Sequence, residues 1–388
     1  MRSDAPVGGG AAGARRAIVE DALRRVAGVE VLPEIVMREV GGGRAGGDAG
    51  AGGDAGAGGD AGAGGDAGAG GDAGGSGRAR LGYRTRARLN ARALRGRVEV
   101  GFRAAGSREM AAIERCVVLE PELDALIGEL QELLAGAGGG GEISLALGAG
   151  GLPIVDVLWR GELPASVWSG LDARVSEGRW AGARVTMDGA AAPATFGDPR
   201  PVFEGADGRA VVVAAGGFAQ PSEDAATVLA RRTADLVRVS GDSLGAIVEL
   251  YAGSGTLSIL LAPLAKKLTT VESHEEAVRA AKENFEARGL VGKIVCGDAE
   301  AHDPGRADVV VLDPPRAGAR EAAKRIAESA ARAVVYVACD PVTMARDVAT
   351  LVAAGFAITH VETIEIFPQT SHVETLVRLA RGGAKSAG

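Results

Sequence analysis

Three short stretches of this sequence set a thiol and two carboxylates where ligand chemistry is done. In YVACDPVTMARD an apolar run ends at Cys339, and the next two residues, Asp340 and Pro341, are the types of an N-cap and a first helical residue. A thiol in that place feels the positive end of the helix dipole, which favours the nucleophilic thiolate, while the Asp340 carboxylate opposes it. A small apolar residue filling a strand end is the other reading of such a cysteine. In DVVVLDPPRAG, Asp313 stands where an apolar strand ends and Pro314 and Pro315 stiffen the exit. Open α/β sheets bind ligands at the carboxyl ends of their strands. In FPQTSHVETLVRL, His372 and Glu374 fall on one face of an expected strand. Thiols and carboxylates are the groups that nucleophilic and general acid–base catalysis use.

A second group of residues has the types of a nucleoside site. VELYAGSGTLSILLA reads as strand, turn and helix, with Gly253 and Gly255 letting a ligand approach the backbone near free N–H groups. Glu272 ends the next strand nineteen residues after Gly253, a place that suits a ribose diol. The full G-x-G-x-x-G is missing, so no pyrophosphate cradle is evident. A cofactor with a nucleoside and no phosphates is favoured, and S-adenosylmethionine fits. Asp298, in CGDAE, has two readings: acceptor for an adenine amino group, or cap of the following helix.

These residues need strands and helices to hold them. From Ala246 onward, AIVELYAG, KKLTTVES, GKIVCGD, ADVVVLDPP, ARAVVYVAC and FAITHVETIEIF are short apolar runs, most of them separated by helical stretches. That rhythm predicts a doubly wound α/β sheet beginning near residue 225. Before it, PSEDAATVLARRTADLV reads as a helix with Ser222 as N-cap. Residues 15–225 read as a mixed, mostly β accessory region, opening with a helix whose apolar face is Ile18, Ala22, Leu23 and Val26. LGYRTRARLNARALRGRVEVGFR alternates like a strand pair, with Tyr83, Thr85, Ala87 and Leu89 on one side and Arg84, Arg86 and Arg88 on the other. With Arg78, Arg80, Arg92, Arg95 and Arg97 these make a basic row able to track phosphates, or a merely solvated face.

Between them, residues 41–77 repeat GGDAGA, with an aspartate every sixth residue from Asp48 to Asp72. Gly and Ala bury too little to offset ordering entropy, so this reads as a flexible acidic linker or loop insertion within the accessory domain. Residues 1–14 are expected to be disordered and 383–388 a tail. Of the 61 glycines among 388 residues, many lie in this repeat, and the rest leaves a 46% hydrophobic chain ample for a core. A net charge of −7 excludes a uniformly basic coat. Three scattered cysteines suggest neither a disulfide framework nor a metal pair. No signal peptide or membrane-length apolar run is visible, which points to a cytoplasmic protein with no membrane partner.

Taken together, YRTRARL, GFRAAGS…IERCVVLEP, FAQPS, ELYAGSGTLS, VVLDPPRAG, YVACDPVTMARD and FPQTSHVE resemble the RNA uracil-5 methyltransferases, over about residues 15–382 without the glycine insert. The resemblance implies a Rossmann-like class I methyltransferase domain (226–382) preceded by a smaller mixed α/β RNA-contacting domain (15–225). It implies S-adenosylmethionine as cofactor, rRNA or tRNA as partner, and 5-methyluridine as product; a monomer is the expectation held beside it. By position, the family's nucleophile matches Cys339 and its general base Glu374. Its cofactor contacts match Gln220, Tyr251, Thr256, Glu272, Asp298 and Asp313, alongside Gly253 and Gly255. Asp313 would hold the target base or the cofactor, and Arg316 would steady an enolate oxygen. With the resemblance accepted, Arg84, Arg86 and Arg88 are expected to contact RNA.

Some features depart from the family. No N-terminal β-barrel domain is visible. Cys116 matches the last of four cluster-binding cysteines, the other three are absent, and no iron–sulfur cluster is expected. Ser222 replaces a usual Asn, and ACDP stands for SCNP. The alternatives are a methyltransferase acting on amino nitrogen or another base position, and an RNA-binding homologue whose catalysis has decayed.

Overall fold

The computed structural model describes residues 10–40, 81–104, 107, 109–241, 243–366 and 373–382, and every structural statement below concerns these. His372, Arg78, Arg80 and the glycine insert lie outside them.

The chain begins with helix α1 (Gly10–Arg25) and strand β1 (Ile35–Glu39). It continues through β2 (Arg86–Leu94), β3 (Arg97–Arg103), β4 (Met110–Ala112), α2 (Pro121–Leu133), β5 (Gly138–Leu147), β6 (Pro153–Glu162), α3 (Ala165–Ser176), β7 (Gly182–Met187) and β8 (Ala194–Gly197). The short pair β9 (Val202–Glu204) and β10 (Ala210–Val212) leads to α4 (Glu223–Arg238). The last part is β11 (Leu244–Leu250), α5 (Ser258–Leu261), β12 (Ala265–Glu272), α6 (Glu275–Arg288), β13 (Lys293–Cys296), β14 (Val309–Leu312), α7 (Arg320–Glu328), β15 (Ala333–Ala338), α8 (Pro341–Ala353), β16 (Phe356–Glu365) and β17 (Glu374–Arg381).

The alternation expected after residue 225 folds as one eight-stranded sheet of order β1-β16-β17-β15-β14-β11-β12-β13. Only β17 runs antiparallel to its neighbours. Central parallel strands are covered on both faces, so they need apolar residues at every position. β14 shows this: Val309 and Val311 face the α4–α6 layer, Val310 and Leu312 the α7–α8 layer, and all four are buried. Strand order reverses between β11 and β14, which leaves a crevice at their carboxyl ends.

The N-terminal segment corrects two expectations. Helix α1 starts at Gly10, inside the stretch expected to be disordered. With β1 it joins the eight-stranded sheet rather than the accessory region: β1 pairs parallel to β16, and α1 packs on α8. Its buried face is Val19, Ala22 and Leu23, while Ile18 and Val26 are largely exposed. One narrow stripe is all that α8 leaves to cover. Glu362 fastens the join, taking ion pairs from Arg38 on β1 and from Arg232 on α4 (2.9 Å), with His360 3.1 Å away. Burial alone would raise its pKa, but the hydrogen bonds from His360 and Arg232 bring the carboxyl down to about 2. The described residues on either side of positions 41–80 belong to different sheets, β1 to this one and β2 to the accessory one.

The accessory region is a seven-stranded sheet of order β4-β3-β2-β5-β6-β7-β8, antiparallel except between β6 and β7. Alternate residues Leu89, Ala91, Val98, Val100, Ile143, Leu145, Val155, Val157 and Trp159 form one buried face beneath α2 and α3. The strand-pair reading of residues 81–103 holds as the β2–β3 hairpin, turning at Gly96 with φ +80°. In β5 the backbones run so close that a Cβ on Gly141 would lie 2.0 Å from the Leu158 carbonyl, which only glycine tolerates. Ser222 caps α4, its Oγ accepting from Ala225 N at 3.1 Å.

Candidate active site

Strand register brings the thiol and the carboxylate together. In the antiparallel pair of β15 and β17, Ala338 lies opposite Thr375, so Cys339 and Glu374 are the next residues outward on adjoining strand ends. Both line a cavity of about 690 Å³ at the reversal point of the sheet. Asp313, Pro314, Pro315 and Arg316, which leave β14, form its adjacent wall. Asp340 caps α8 as read from the sequence, its Oδ1 accepting from Val342 N at 3.0 Å and Thr343 N at 2.8 Å.

The electrostatics of this wall are set by burial. Desolvation pushes Asp313 up to about 7 and Glu374 well above the carboxylate range, with Asp313 adding to the effect on Glu374 and Arg316 opposing it. Burial, then the Glu374 and Asp313 carboxylates, raise the Cys339 thiol above its ordinary value, while Arg316 lowers it. Burial and the two carboxylates thus give the direction that the opposed helix terminus and Asp340 left open in the sequence. Deeper still, Glu249 on β11 is 1% exposed, and Ser258 Oγ donates to it at 2.5 Å. Desolvation, with Asp313 and Glu272 nearby, carries it to about 8.

The other half of the cavity is built on the glycine turn. Gln220, Tyr251, Gly253, Glu272 and Asp298 all line it. Glu272 Oε2 accepts from Gly253 N at 2.9 Å and Oε1 from His274 N at 2.7 Å, so it ties the turn to the start of α6. Asp298 Oδ1 accepts from Glu300 N at 2.9 Å. No helix follows it: residues 299–301 are a turn, so the helix-cap reading is corrected to a turn bond, made by a residue that also faces the cavity. Tyr251 is the one non-glycine residue at positive φ (60°) among those described, and its hydroxyl donates to Glu300 at 2.8 Å. Burial and Glu300 raise its pKa. Gly255 and Thr256 do not line the cavity. Gly255 is buried beside α6, and its φ of +86° is what favours glycine there.

The basic row divides. Arg86 is half-buried and donates to Gly217 O at 2.6 Å, fastening the accessory sheet to a cavity wall. Burial, with help from Arg88, lowers it to about 10. Arg88 is exposed, 3.3 Å from Glu142, and Arg84 is half-buried where the chain bridges to Leu119. Arg92 and Arg97 both reach Glu99. A continuous strand face of cations is corrected to a broken one, because acids on β3 and β5 stand beside it and the first arginine is spent on the join between domains.

Several site residues escaped the sequence reading. Ser254 Oγ accepts from Ala214 N at 3.2 Å, and Asn284 donates to Val212 O at 2.8 Å and Ser254 O at 2.9 Å. These bonds hold the linker that carries Gln220 against the glycine turn. Ser and Asn in ordinary spacing give no signal for such a brace. Glu249, inside the quoted VELYAGSGTLSILLA, was legible as a carboxylate inside an apolar strand. Among the described residues no group of three or more His, Cys, Asp or Glu is placed to hold a metal, and no helix is long and apolar enough to cross a membrane. Cys116 is half-buried, packed against the accessory core, and Cys296 is exposed.

Residues 209–336 match the model of the methyltransferase small domain, and residues 303–382 that of tRNA (Uracil-5-)-methyltransferase. The chain is 31% identical to the 23S rRNA (uracil(1939)-C(5))-methyltransferase RlmD of Chromohalobacter salexigens, over 78% of this chain and 65% of that protein. The RlmD of Marinomonas sp. is also 31% identical, over 77% of this chain and 69% of that one. Other matches span as little as 30% of the relative's length. A solved Pyrococcus abyssi tRNA (uracil-54, C5)-methyltransferase, in complex with S-adenosyl-L-homocysteine, superposes with a TM-score of 0.66 at 20% identity, covering 95% of this chain and 83% of that one. The sheet and its crevice are those of a class I methyltransferase α/β fold. Within that class, the chain belongs to the RNA uracil-C5 methyltransferase family.

Proposed function

We propose that this protein transfers a methyl group from S-adenosylmethionine to carbon 5 of a uridine in rRNA or tRNA, through a covalent adduct with Cys339. The observation that carries the reading is the meeting of Cys339 and Glu374 across β15 and β17, beside Asp313 in one cavity. Relatives named for 23S rRNA match most of the chain, which favours rRNA as the partner. The protein is read as a cytoplasmic monomer.

The residues present fit the cofactor. Glu272 and Asp298 face that half of the cavity and would repel phosphates, yet they suit a ribose, an adenine amino group and a positive sulfonium. Gln220, Tyr251 and Gly253 would complete the holding set. When bound, the cofactor supplies a methyl group on a positively charged sulfur.

Carbon 5 of uracil is a weak nucleophile. The Cys339 thiolate adds to carbon 6, pushing the double-bond electrons toward oxygen 4 and making carbon 5 electron-rich. Arg316, on the same wall, steadies the developing enolate oxygen. Carbon 5 would then take the methyl group with its own electron pair, the pair of the broken carbon–sulfur bond staying on the donor sulfur. Glu374 then takes the carbon 5 proton, the carbon 5–carbon 6 double bond re-forms, and the sulfur leaves as thiolate. A carboxylate whose pKa is raised by burial is a better base for that proton than an exposed one. The target base must be unstacked to enter the cleft.

The test is mass spectrometry of nucleosides from rRNA and tRNA incubated with protein and labelled cofactor. Label in 5-methyluridine supports the proposal. Label only in another nucleoside refutes it.

A further inference from the structure

The catalytic wall is made of two segments far apart in sequence, the loop after β14 and the turn from β15 into α8. Side chains from the first two turns of α8 take hold of three residues of that loop, Arg316, Ala317 and Ala319. Thr343 Oγ1 donates to Arg316 O at 3.1 Å. Arg346 Nη2 donates to Ala317 O at 2.9 Å. Asp347 Oδ2 accepts from Ala319 N at 2.7 Å, and from Tyr336 OH, on the strand that delivers Cys339, at 2.8 Å. Between these contacts lies Gly318 at φ +77°, where a Cβ would stand 2.5 Å from both Arg346 Nη2 and Asp347 Oδ2.

Asp347 is 1% exposed, and its other oxygen is satisfied by Arg346 Nε at 2.8 Å. It therefore binds three things at once: helix α8, strand β15 and the loop bearing Arg316. A buried carboxylate needs such partners merely to be tolerated. Nothing in packing alone, however, requires all three partners to be the elements that carry the cavity's thiol and its cation.

We propose that Asp347, with Thr343 as its helper, is a positioning residue that sets the distance between Arg316 and the Cys339–Glu374 pair. The inference rests on the reading of Cys339 as nucleophile. Glu374 from β17, Asp313 from the exit of β14 and Arg316 from the loop face the thiol, and Arg316 alone among them favours the thiolate. Loosening the loop withdraws that cation, and displacements near 1 Å at a reacting centre cost on the order of 10²-fold in rate.

The experiment uses the full chain with Asp347→Asn and, as a gentler change, Thr343→Val, each checked by circular dichroism and thermal melting. Two readouts are taken: kcat for RNA methylation, and the pH midpoint of Cys339 alkylation by iodoacetamide without RNA. The expected result is a fall in kcat of about 10²-fold for Asp347→Asn and about tenfold for Thr343→Val. The alkylation midpoint should move up in both, and the affinity for S-adenosylhomocysteine should stay within about twofold. Folded variants that keep the wild-type midpoint and kcat overturn the proposal, as does a fall in activity matched by lost folding with no shift of the midpoint. A wild-type chain inactive on every RNA sinks the functional reading instead, and the alkylation midpoints still judge this one.

Discussion

Glu249 offers the most quantitative test of how the cavity is built. It is buried in β11, and its carboxyl is carried from the ordinary glutamate value of about 4.5 up to about 8, first by desolvation and then by Asp313 and Glu272. A group whose folded pKa exceeds its unfolded one is tolerated below the unfolded value. It then costs stability progressively as pH rises to the folded value. Each unit of difference is about 1.4 kcal/mol, so by pH 9 the buried charge costs about 5 kcal/mol relative to pH 4. Glu249→Gln removes the titration and keeps an oxygen for Ser258 Oγ. The variant should melt close to the wild type at pH 5 and about 10 °C above it at pH 9. Calorimetry of both proteins at both pH values reads this as a double difference, which cancels every other titrating group. A variant–wild-type gap that is equal at the two pH values would refute the electrostatic account of the site.

Glu362→Gln runs the opposite way: its carboxyl is held at about 2, so the ion cluster with Arg38, Arg232 and His360 stabilises above about pH 4.5 and fades as pH falls through about 2. Urea unfolding should find the variant about 3 kcal/mol weaker at pH 7 and nearly equal to wild type at pH 2. Arg86→Ala should raise the Kd for S-adenosylhomocysteine about tenfold, the weight of one charged hydrogen bond to the Gly217 wall, as read by titration calorimetry. An unchanged Kd would show that the join does not shape the cavity. Glu374→Gln should lower kcat by about 10²–10⁴ and let an RNA–protein adduct build up on denaturing gels with unmodified RNA. Normal turnover in that variant would remove Glu374 from the mechanism.

Much of this site was legible because its signals are local. The doubly wound sheet follows from apolar runs such as residues 309–312, and the caps at Ser222 and Asp340 follow from side chains that bond a backbone two or three residues on. The nearness of Cys339 and Glu374 was not in their spacing. It depends on β17 turning back antiparallel beside β15, a pairing across more than thirty residues of chain. The placement of α1 and β1 was misread for a related reason. A five-residue strand carries no mark of which sheet edge it will join, and the glycine repeat after it looked like an interruption of one domain. The arginines of β2 misled because strand alternation gives the face of a side chain and says nothing about acids on the neighbouring strands. Asp347 was invisible as a site residue, since an aspartate inside a helix usually faces water.

The claim beneath the rest is that Cys339 forms a bond to the pyrimidine. RNA carrying 5-fluorouridine tests it, because fluorine at carbon 5 cannot leave as a proton and the adduct is held. With S-adenosylmethionine present, the wild type is expected to give a denaturation-resistant RNA complex whose peptide maps to Cys339, and Cys339→Ala to give none. A methylating wild type that forms no such complex, or one joined through another residue, would contradict the account.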